Sequence, residues 1–81
     1  MLKVLVVEDE TVIRTALRRL LERNGYHVAE SGTVQDAATL ELEEFDLIIS
    51  DLRLPGAPGT DLIRLAGDVP VLIMTSYASL R

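Results

Sequence analysis

The sequence predicts an α/β fold in which a doubly wound parallel sheet is covered by helices on both faces. Four short apolar runs, rich in Val, Ile and Leu, have the composition of strands buried on both sides. Segments with helical spacing of apolar residues lie between these runs. Because parallel strands need crossover connections, the order βαβαβαβ places helices on both sides of the sheet.

The composition predicts one small domain with an aliphatic core. The 81 residues are 48% hydrophobic but only 4% aromatic, so Val, Leu, Ile and Ala must fill the interior. A chain of this size buries only about 60–65% of its unfolded surface, which makes its stability marginal.

The charge and the cysteine count exclude several classes of protein. The net charge of −5 argues against direct binding of nucleic acid or of an anionic membrane, since both favour basic patches. The chain has no cysteine, which excludes disulfides and thiolate metal sites. No apolar run approaches the roughly 20 residues that span a bilayer. We therefore expect a cytoplasmic protein with no membrane contact.

The first half of the chain alternates strand and helix twice. Thr33 followed by Asp36 predicts a helix cap, and Gly25 after Asn24 predicts a helix end. The expected elements are a strand at residues 2–7, a helix at 11–24, a strand at 26–30 and a helix from 34 to about 43. The apolar face expected on the first helix comprises Val12, Ile13, Ala16, Leu17, Leu20 and Leu21.

The second half continues the same alternation. The expected elements are a strand at residues 45–50, a loop at 55–59, a short helix at 60–66 and a strand at 70–74. Gly67 predicts the end of the short helix. Its inward residues are expected to be Leu62, Ile63, Leu65 and Ala66.

Polar side chains follow the strands at the edge where ligands bind in open parallel sheets. They are Glu8-Asp9, Glu30-Ser31, Asp51 and Thr75-Ser76. If strands one, three and four are neighbours, three carboxylates and the Thr75 hydroxyl converge. Carboxylates about 5 Å apart repel by roughly 3 kcal/mol at an effective dielectric near 20. An all-oxygen site of this kind suits Mg²⁺, which would let Asp51 act as a nucleophile toward a phosphoryl group.

Plainer interpretations of the same residues stay open at this point. Glu8 and Asp9 are also suited to the N-terminus of a helix, where the dipole favours acids. Asp51 is compatible with an ordinary turn, and Thr75 with polarity at a strand end. The arginine stripe of the first helix is either a solvated face or a partner surface; its members are Arg14, Arg18, Arg19 and Arg23.

Three segments, in this order, resemble the receiver domain of response regulators in two-component signalling. Residues 3–10, Lys-Val-Leu-Val-Val-Glu-Asp-Glu, are similar to its first strand and acidic pair. Residues 46–56 together with Gly59 are similar to its phospho-acceptor segment, and residues 69–77 to its switch-threonine strand. Any one match is weak, but three in order over the whole chain identify it as a member.

The resemblance implies a flavodoxin-like (CheY-like) receiver fold, the class to which strand order 2-1-3-4-5 belongs. It implies that Asp51 accepts a phosphoryl group from a sensor histidine kinase and that the Thr75 hydroxyl switches a partner or output domain. Mg²⁺ would be bound by Glu8, Asp9, Asp51 and the carbonyl of Arg53. Amides of Leu52, Arg53 and Ser76 would contact the phosphoryl group. The domain would not be an enzyme, beyond Mg²⁺-dependent self-phosphorylation and self-dephosphorylation at Asp51.

The sequence also departs from the receiver pattern. It matches four of the five βα units, so we expect residues 1–81 to be a C-terminally truncated receiver, without the last α/β/α portion and without its output domain. The lysine of strand five is absent, and Lys3 lies at the wrong end of its strand to replace it. A bare fourth strand favours a homodimer or a strand-swapped assembly.

Two alternative functions follow from these departures. One is a receiver-like interaction module that is no longer phosphorylated. The other is a phosphohydrolase of the haloacid-dehalogenase type, which also uses an aspartate after an apolar strand. That enzyme needs a second acid two residues later, where this chain has Arg53.

Overall fold

The computed structural model describes residues 2–75, and the predicted alternation of strands and helices is confirmed. Ser76, predicted to supply an amide to the site, lies outside the described residues, as does Tyr77. The elements in chain order are β1 (Lys3–Val7), α1 (Thr11–Arg23), β2 (His27–Ser31), α2 (Val34–Ala37), a 3₁₀ turn (Leu42–Glu44), β3 (Leu47–Asp51), α3 (Asp61–Leu65) and β4 (Val71–Met74).

The strands form one parallel sheet with the order β2-β1-β3-β4. At the carboxyl end of β1, Val7 lies opposite Ser31 of β2 and Ser50 of β3. Asp51 of β3 lies opposite Met74 of β4. Strands β1, β3 and β4 are therefore neighbours, as the convergence of their polar ends requires. Within the described residues β4 is an edge strand, whereas the expected homodimer or strand-swapped assembly stays a prediction.

The hydrophobic core has one layer on each face of the sheet, because side chains alternate along each strand. On one face, α1 packs Leu17 and Leu21 against a buried cluster of Val4, Val6 and Ile49. The other face is covered by α2, the 3₁₀ turn and α3. Its buried cluster consists of Leu5, Val7, Val34, Ala37, Leu42, Ile48, Leu62 and Ala66.

Helix α1 presents a narrower inward face than the sequence predicted. Leu17 and Leu21, four residues apart, pack on the sheet, whereas Val12 is 80% exposed and Leu20 is 53% exposed. Ala16 is also exposed. The sheet below α1 accommodates only one i, i+4 row, so the adjacent row faces outward. Within residues 2–75 no helix is long and apolar enough to cross a membrane.

Helix α2 is much shorter than the predicted helix at residues 34–43. Its start is confirmed, since the Asp36 amide donates to Thr33 Oγ1 at 3.0 Å. Its end is set by Thr39, whose hydroxyl donates to the Asp36 carbonyl at 2.7 Å. That carbonyl is the acceptor that the Leu40 amide would need in a continuing helix. Leu40 bonds to Ala37 instead, and the helix ends.

Helix α3 also buries fewer residues than predicted. Leu62 and Ala66 are 0% and 5% exposed, whereas Ile63 and Leu65 are 52% and 45% exposed. The prediction that Ile63 and Leu65 point inward is wrong, because a helix of five residues presents only one narrow stripe to the sheet.

A matched pair of substitutions in α3 tests this packing. Leu62→Ala should lower the free energy of unfolding by about 2–4 kcal/mol, since it removes a fully buried side chain and leaves a cavity. Ile63→Ala, one residue away in the same helix, should cost less than about 1 kcal/mol. Urea unfolding followed by circular dichroism measures both values. Equal losses for the two variants would contradict the packing described here.

Candidate functional site

Three carboxylates meet at the carboxyl ends of β1 and β3. Glu8 and Asp9 follow β1 directly, and Asp51 is the last residue of β3. One carboxylate oxygen from each of the three lies within 4.8 Å of the others. Glu8 is 0% exposed, Asp51 is 4% exposed and Asp9 is exposed. The predicted convergence of these acids is therefore present, with two of them buried.

The backbone around Glu8 is held from two sides. The Glu8 amide donates to the Ser31 carbonyl of β2 at 3.0 Å, which continues the strand pairing one residue past β1. The Glu8 carbonyl accepts a hydrogen bond from Arg14 Nη1 at 2.7 Å. The Glu8 side chain folds back, so that Oε2 accepts the Glu10 amide at 2.9 Å.

Asp51 is fixed by its strand and by the loop that follows. Its Oδ1 accepts the Arg53 amide at 3.3 Å, and its carbonyl accepts the Ser50 hydroxyl at 3.0 Å. Gly59 packs directly against this carbonyl and against Ser50 Oγ, where a Cβ atom would collide with both. The loop can approach β3 this closely only because residue 59 has no side chain.

Burial and like charges disfavour ionisation of Glu8. Its pKa is raised from 4.5 to about 7, chiefly because burial removes the carboxylate from water. The hydrogen bond from the Glu10 amide lowers the pKa, while the neighbouring Asp9 and Asp51 raise it. A pair of carboxylate charges 4.8 Å apart costs about 3 kcal/mol at an effective dielectric near 20.

The chemistry of this donor set fits a hard divalent cation. Glu8 Oε1 is buried and has no hydrogen-bond partner among the described residues. A buried oxygen of this kind is costly unless it has a partner. Three carboxylates with no nitrogen or sulfur ligand form the oxygen-rich set that Mg²⁺ and Ca²⁺ prefer.

The other predicted site residues differ in whether their polar groups can reach a ligand or are already used in hydrogen bonds. Thr75 is exposed and directly follows β4, the strand that pairs with β3. The Arg53 amide already faces Asp51, to which it donates. The Leu52 amide, however, donates to the Met74 carbonyl at 2.8 Å, so strand pairing uses it. Lys3 starts β1 and pairs with Glu44 at 3.6 Å, at the opposite end of β1 from Glu8.

The structure does not support helix capping as the role of the acidic pair. Glu10 is the residue that precedes α1, it makes no side-chain cap hydrogen bond, and the first turn of α1 contains no acidic residue. Glu8 and Asp9 instead belong to the acidic cluster with Asp51.

Sequence reasoning missed the role of Arg14, which it assigned to a single arginine stripe. Arg14 Nε donates to Glu30 Oε1 at 3.2 Å, in addition to its hydrogen bond to the Glu8 carbonyl. Arg18 also pairs with Glu30, whereas Arg19 is exposed. The feature that could have revealed this role is the position of Arg14 in the first turn of α1, on the side that faces the end of β2.

The comparisons with known proteins identify the family. The family model described as the response regulator receiver domain matches residues 4–81. The chain therefore belongs to the response regulator receiver domain family of two-component systems. The transcriptional regulatory protein ResD of Bacillus subtilis is 37% identical over 78 residues, which cover 91% of this chain and 32% of ResD.

Solved receiver structures match the fold closely. The non-phosphorylated HemR receiver domain of Leptospira biflexa gives a TM-score of 0.84 at 32% identity, over 96% of this chain and 67% of that chain. TrrA of Thermotoga maritima, solved in complex with Mg²⁺-BeF, gives 0.84 at 28% identity, over 100% and 75%. Both matches confirm the CheY-like receiver fold. The chain spans only part of the length of its curated relatives, for example 13% of the rice regulator ORR24 and 40% of PdtaR of Mycobacterium tuberculosis.

The raised pKa of Glu8 predicts a pH-dependent difference between the wild type and Glu8→Gln without divalent ions. Below pH 4.5 Glu8 is protonated in both states. As the pH rises from 4.5 to 7, the unfolded state ionises before the folded state, so folding loses stability. Glu8→Gln avoids this loss and should gain on the order of 3 kcal/mol relative to the wild type by pH 8.

Urea unfolding in EDTA between pH 4 and pH 8 measures this difference. Glu22→Gln on the exposed side of α1 is the matched control, and its difference from the wild type should stay flat. A flat difference for Glu8→Gln as well would show that Glu8 is not destabilised by ionisation.

The contact between Gly59 and β3 predicts a second effect on stability. Gly59→Ala should lower the free energy of unfolding by about 2–3 kcal/mol, because the new methyl group overlaps backbone. Gly32→Ala is the control, since its Cβ would meet only Arg14 Nη1 at 3.6 Å, an ordinary contact. Thermal unfolding of both variants separates the two cases, and a neutral Gly59→Ala would disprove the close approach.

Proposed function

We propose that this receiver domain accepts a phosphoryl group on Asp51, in a Mg²⁺-dependent transfer from the phosphohistidine of a sensor histidine kinase. The observation that carries the proposal is the cluster of Glu8, Asp9 and Asp51 carboxylates within 4.8 Å at one end of the sheet. Further support comes from two similar solved structures. One is TrrA with Mg²⁺-BeF, and the other is a Burkholderia pseudomallei response regulator with a phosphorylated aspartic acid and a calcium ion.

The transfer exchanges one phosphorus bond for another. A carboxylate oxygen of Asp51 attacks phosphorus, the P–N bond to histidine breaks, and the released imidazole nitrogen takes up a proton. The product is an acyl phosphate on Asp51. The Arg53 amide holds Oδ1 at 3.3 Å, which limits rotation of the nucleophile.

Glu8, Asp9, Asp51 and the carbonyl of Arg53 would hold the ion. When bound, Mg²⁺ neutralises the acids and the charge of the transferring group. Glu8 must then be ionised at neutral pH although its own surroundings raise its pKa to about 7. The buried Oε1 of Glu8, which lacks a hydrogen-bond partner within residues 2–75, supports Glu8 as a ligand.

The response to phosphorylation is assigned to Thr75 and the Arg53 amide. Thr75 is exposed after β4, so its hydroxyl is free of the core and can turn toward a phosphoryl group on Asp51. The Leu52 amide is not assigned a contact with phosphate, because such a contact would break its hydrogen bond to the Met74 carbonyl. A partner or an output domain would read the change. The name of ResD, a transcriptional regulatory protein, supports an output in gene control.

Intact mass spectrometry tests phosphorylation directly. The chain is incubated with MgCl₂ and acetyl phosphate, alongside a full-length receiver as a positive control. One added phosphoryl group is expected on the wild type. The same result is expected for the control variant Asp68→Asn, which replaces an exposed acid between α3 and β4. Asp51→Asn and samples in EDTA should show none.

Each other outcome selects a different function. No adduct on the wild type, with the positive control labelled, would favour a receiver-like interaction module without phosphorylation. An adduct that survives Asp51→Asn would place the acceptor elsewhere. Continuous release of phosphate from small phosphate esters would favour a phosphohydrolase.

A further inference from the structure

Arg14 joins the acidic segment to the end of β2. Its Nη1 donates to the Glu8 carbonyl at 2.7 Å and its Nε donates to Glu30 Oε1 at 3.2 Å. The Arg14 side chain is 22% exposed, and that of Glu30 is 29% exposed. One planar guanidinium therefore bridges the backbone of the acidic segment and a carboxylate on the neighbouring strand.

Glu30 is itself held in place. Its Oε2 pairs with Arg18 Nη1 at 3.4 Å, while its Oε1 pairs with Arg14. Glu30 belongs to β2, whose next residue, Ser31, accepts the Glu8 amide at 3.0 Å. The peptide groups on both sides of the Glu8 Cα are thus tied to one another through β2, Glu30 and Arg14.

The contact differs from simple charge compensation. Arg14 bonds to the backbone carbonyl of Glu8 and to Glu30, which is not a member of the acidic cluster. Its positive charge near this cluster opposes binding of a cation by Coulomb repulsion. Any benefit of Arg14 to a cation site must therefore come from the geometry that it imposes.

We infer that Arg14 is a positioning residue that fixes residues 8–10 through the Glu8 carbonyl and thereby raises the affinity of the acidic cluster for Mg²⁺. The inference rests on the Mg²⁺ site of the proposed function. Groups that orient metal ligands contribute roughly 10- to 100-fold to metal affinity in known sites.

The sign of the change in Mg²⁺ affinity separates geometry from charge. Arg14→Ala and Arg18→Ala each remove one positive charge that pairs with Glu30, but only Arg14 bonds to the Glu8 carbonyl. Charge alone predicts tighter Mg²⁺ binding in both variants. Positioning predicts binding weakened by about tenfold in Arg14→Ala. It predicts no such loss in Arg18→Ala, where Arg14 keeps its bonds to the Glu8 carbonyl and to Glu30 Oε1.

The dissociation constant for Mg²⁺ is measured by titrating the full chain with MgCl₂, and binding is monitored by NMR amide shifts and by calorimetry. Arg14→Lys keeps the charge but can donate from one point only, so it should show an intermediate loss. Unchanged or tighter binding in Arg14→Ala relative to Arg18→Ala would overturn the inference.

A measurement without metal keeps this inference separate from the proposed function. In EDTA, Arg14→Ala should accelerate hydrogen exchange of the Glu10 amide, which bonds to Glu8 Oε2, by about tenfold. Arg18→Ala should leave that rate unchanged. A wild type that binds no Mg²⁺ would refute the proposed site, whereas equal exchange rates in the two variants would refute the positioning role of Arg14.

Discussion

The parallel pairing of β1 with β3 is the contact on which the site depends. Its register sets Val7 opposite Ser50, so both strands end at the same level. Glu8, Asp9 and Asp51 therefore lie at the same edge of the sheet, and no other structural element is needed to bring them there. Because both faces of these strands are buried in separate core layers, a slip by one residue would exchange the side chains of the two layers and disrupt the packing of both. The hydrophobic core thus fixes the distance between the acids.

The grouping of the three acids lowers the stability of the folded chain. A buried Glu8 beside two other carboxylates is unfavourable in the isolated chain, and the core must offset that cost. A cation bound between the acids would turn the same repulsion into affinity, because the acids are already assembled. Strain of this kind is common at functional sites, where the surrounding packing offsets its cost.

The sequence predicted the parts of the fold that follow from local pattern. Apolar runs located all four strands, and Thr33 correctly marked the start of α2. The rules for parallel sheets left the strand order open, so the adjacency of β1, β3 and β4 was predicted only through the resemblance to receiver domains. The convergence of Glu8, Asp9 and Asp51 depended on that adjacency. The end of α2 escaped prediction because the hydroxyl of Thr39 competes for a backbone carbonyl, which periodicity does not reveal. The exposure of Ile63 and the bridging role of Arg14 depend on tertiary neighbours, which only the folded chain defines.

The helices on the two faces of the sheet are attached to it in different ways. Helix α1 has 13 residues, none of them buried, whereas α2 and α3 have only four and five and contribute buried side chains to the core. Helices as short as α2 and α3 form only while these side chains stay packed on the sheet. Asp51 is followed by the loop to α3, whereas Glu8 and Asp9 lie at the junction of β1 and α1. A local loss of the α3 packing would therefore loosen the surroundings of Asp51 more than those of the acidic pair.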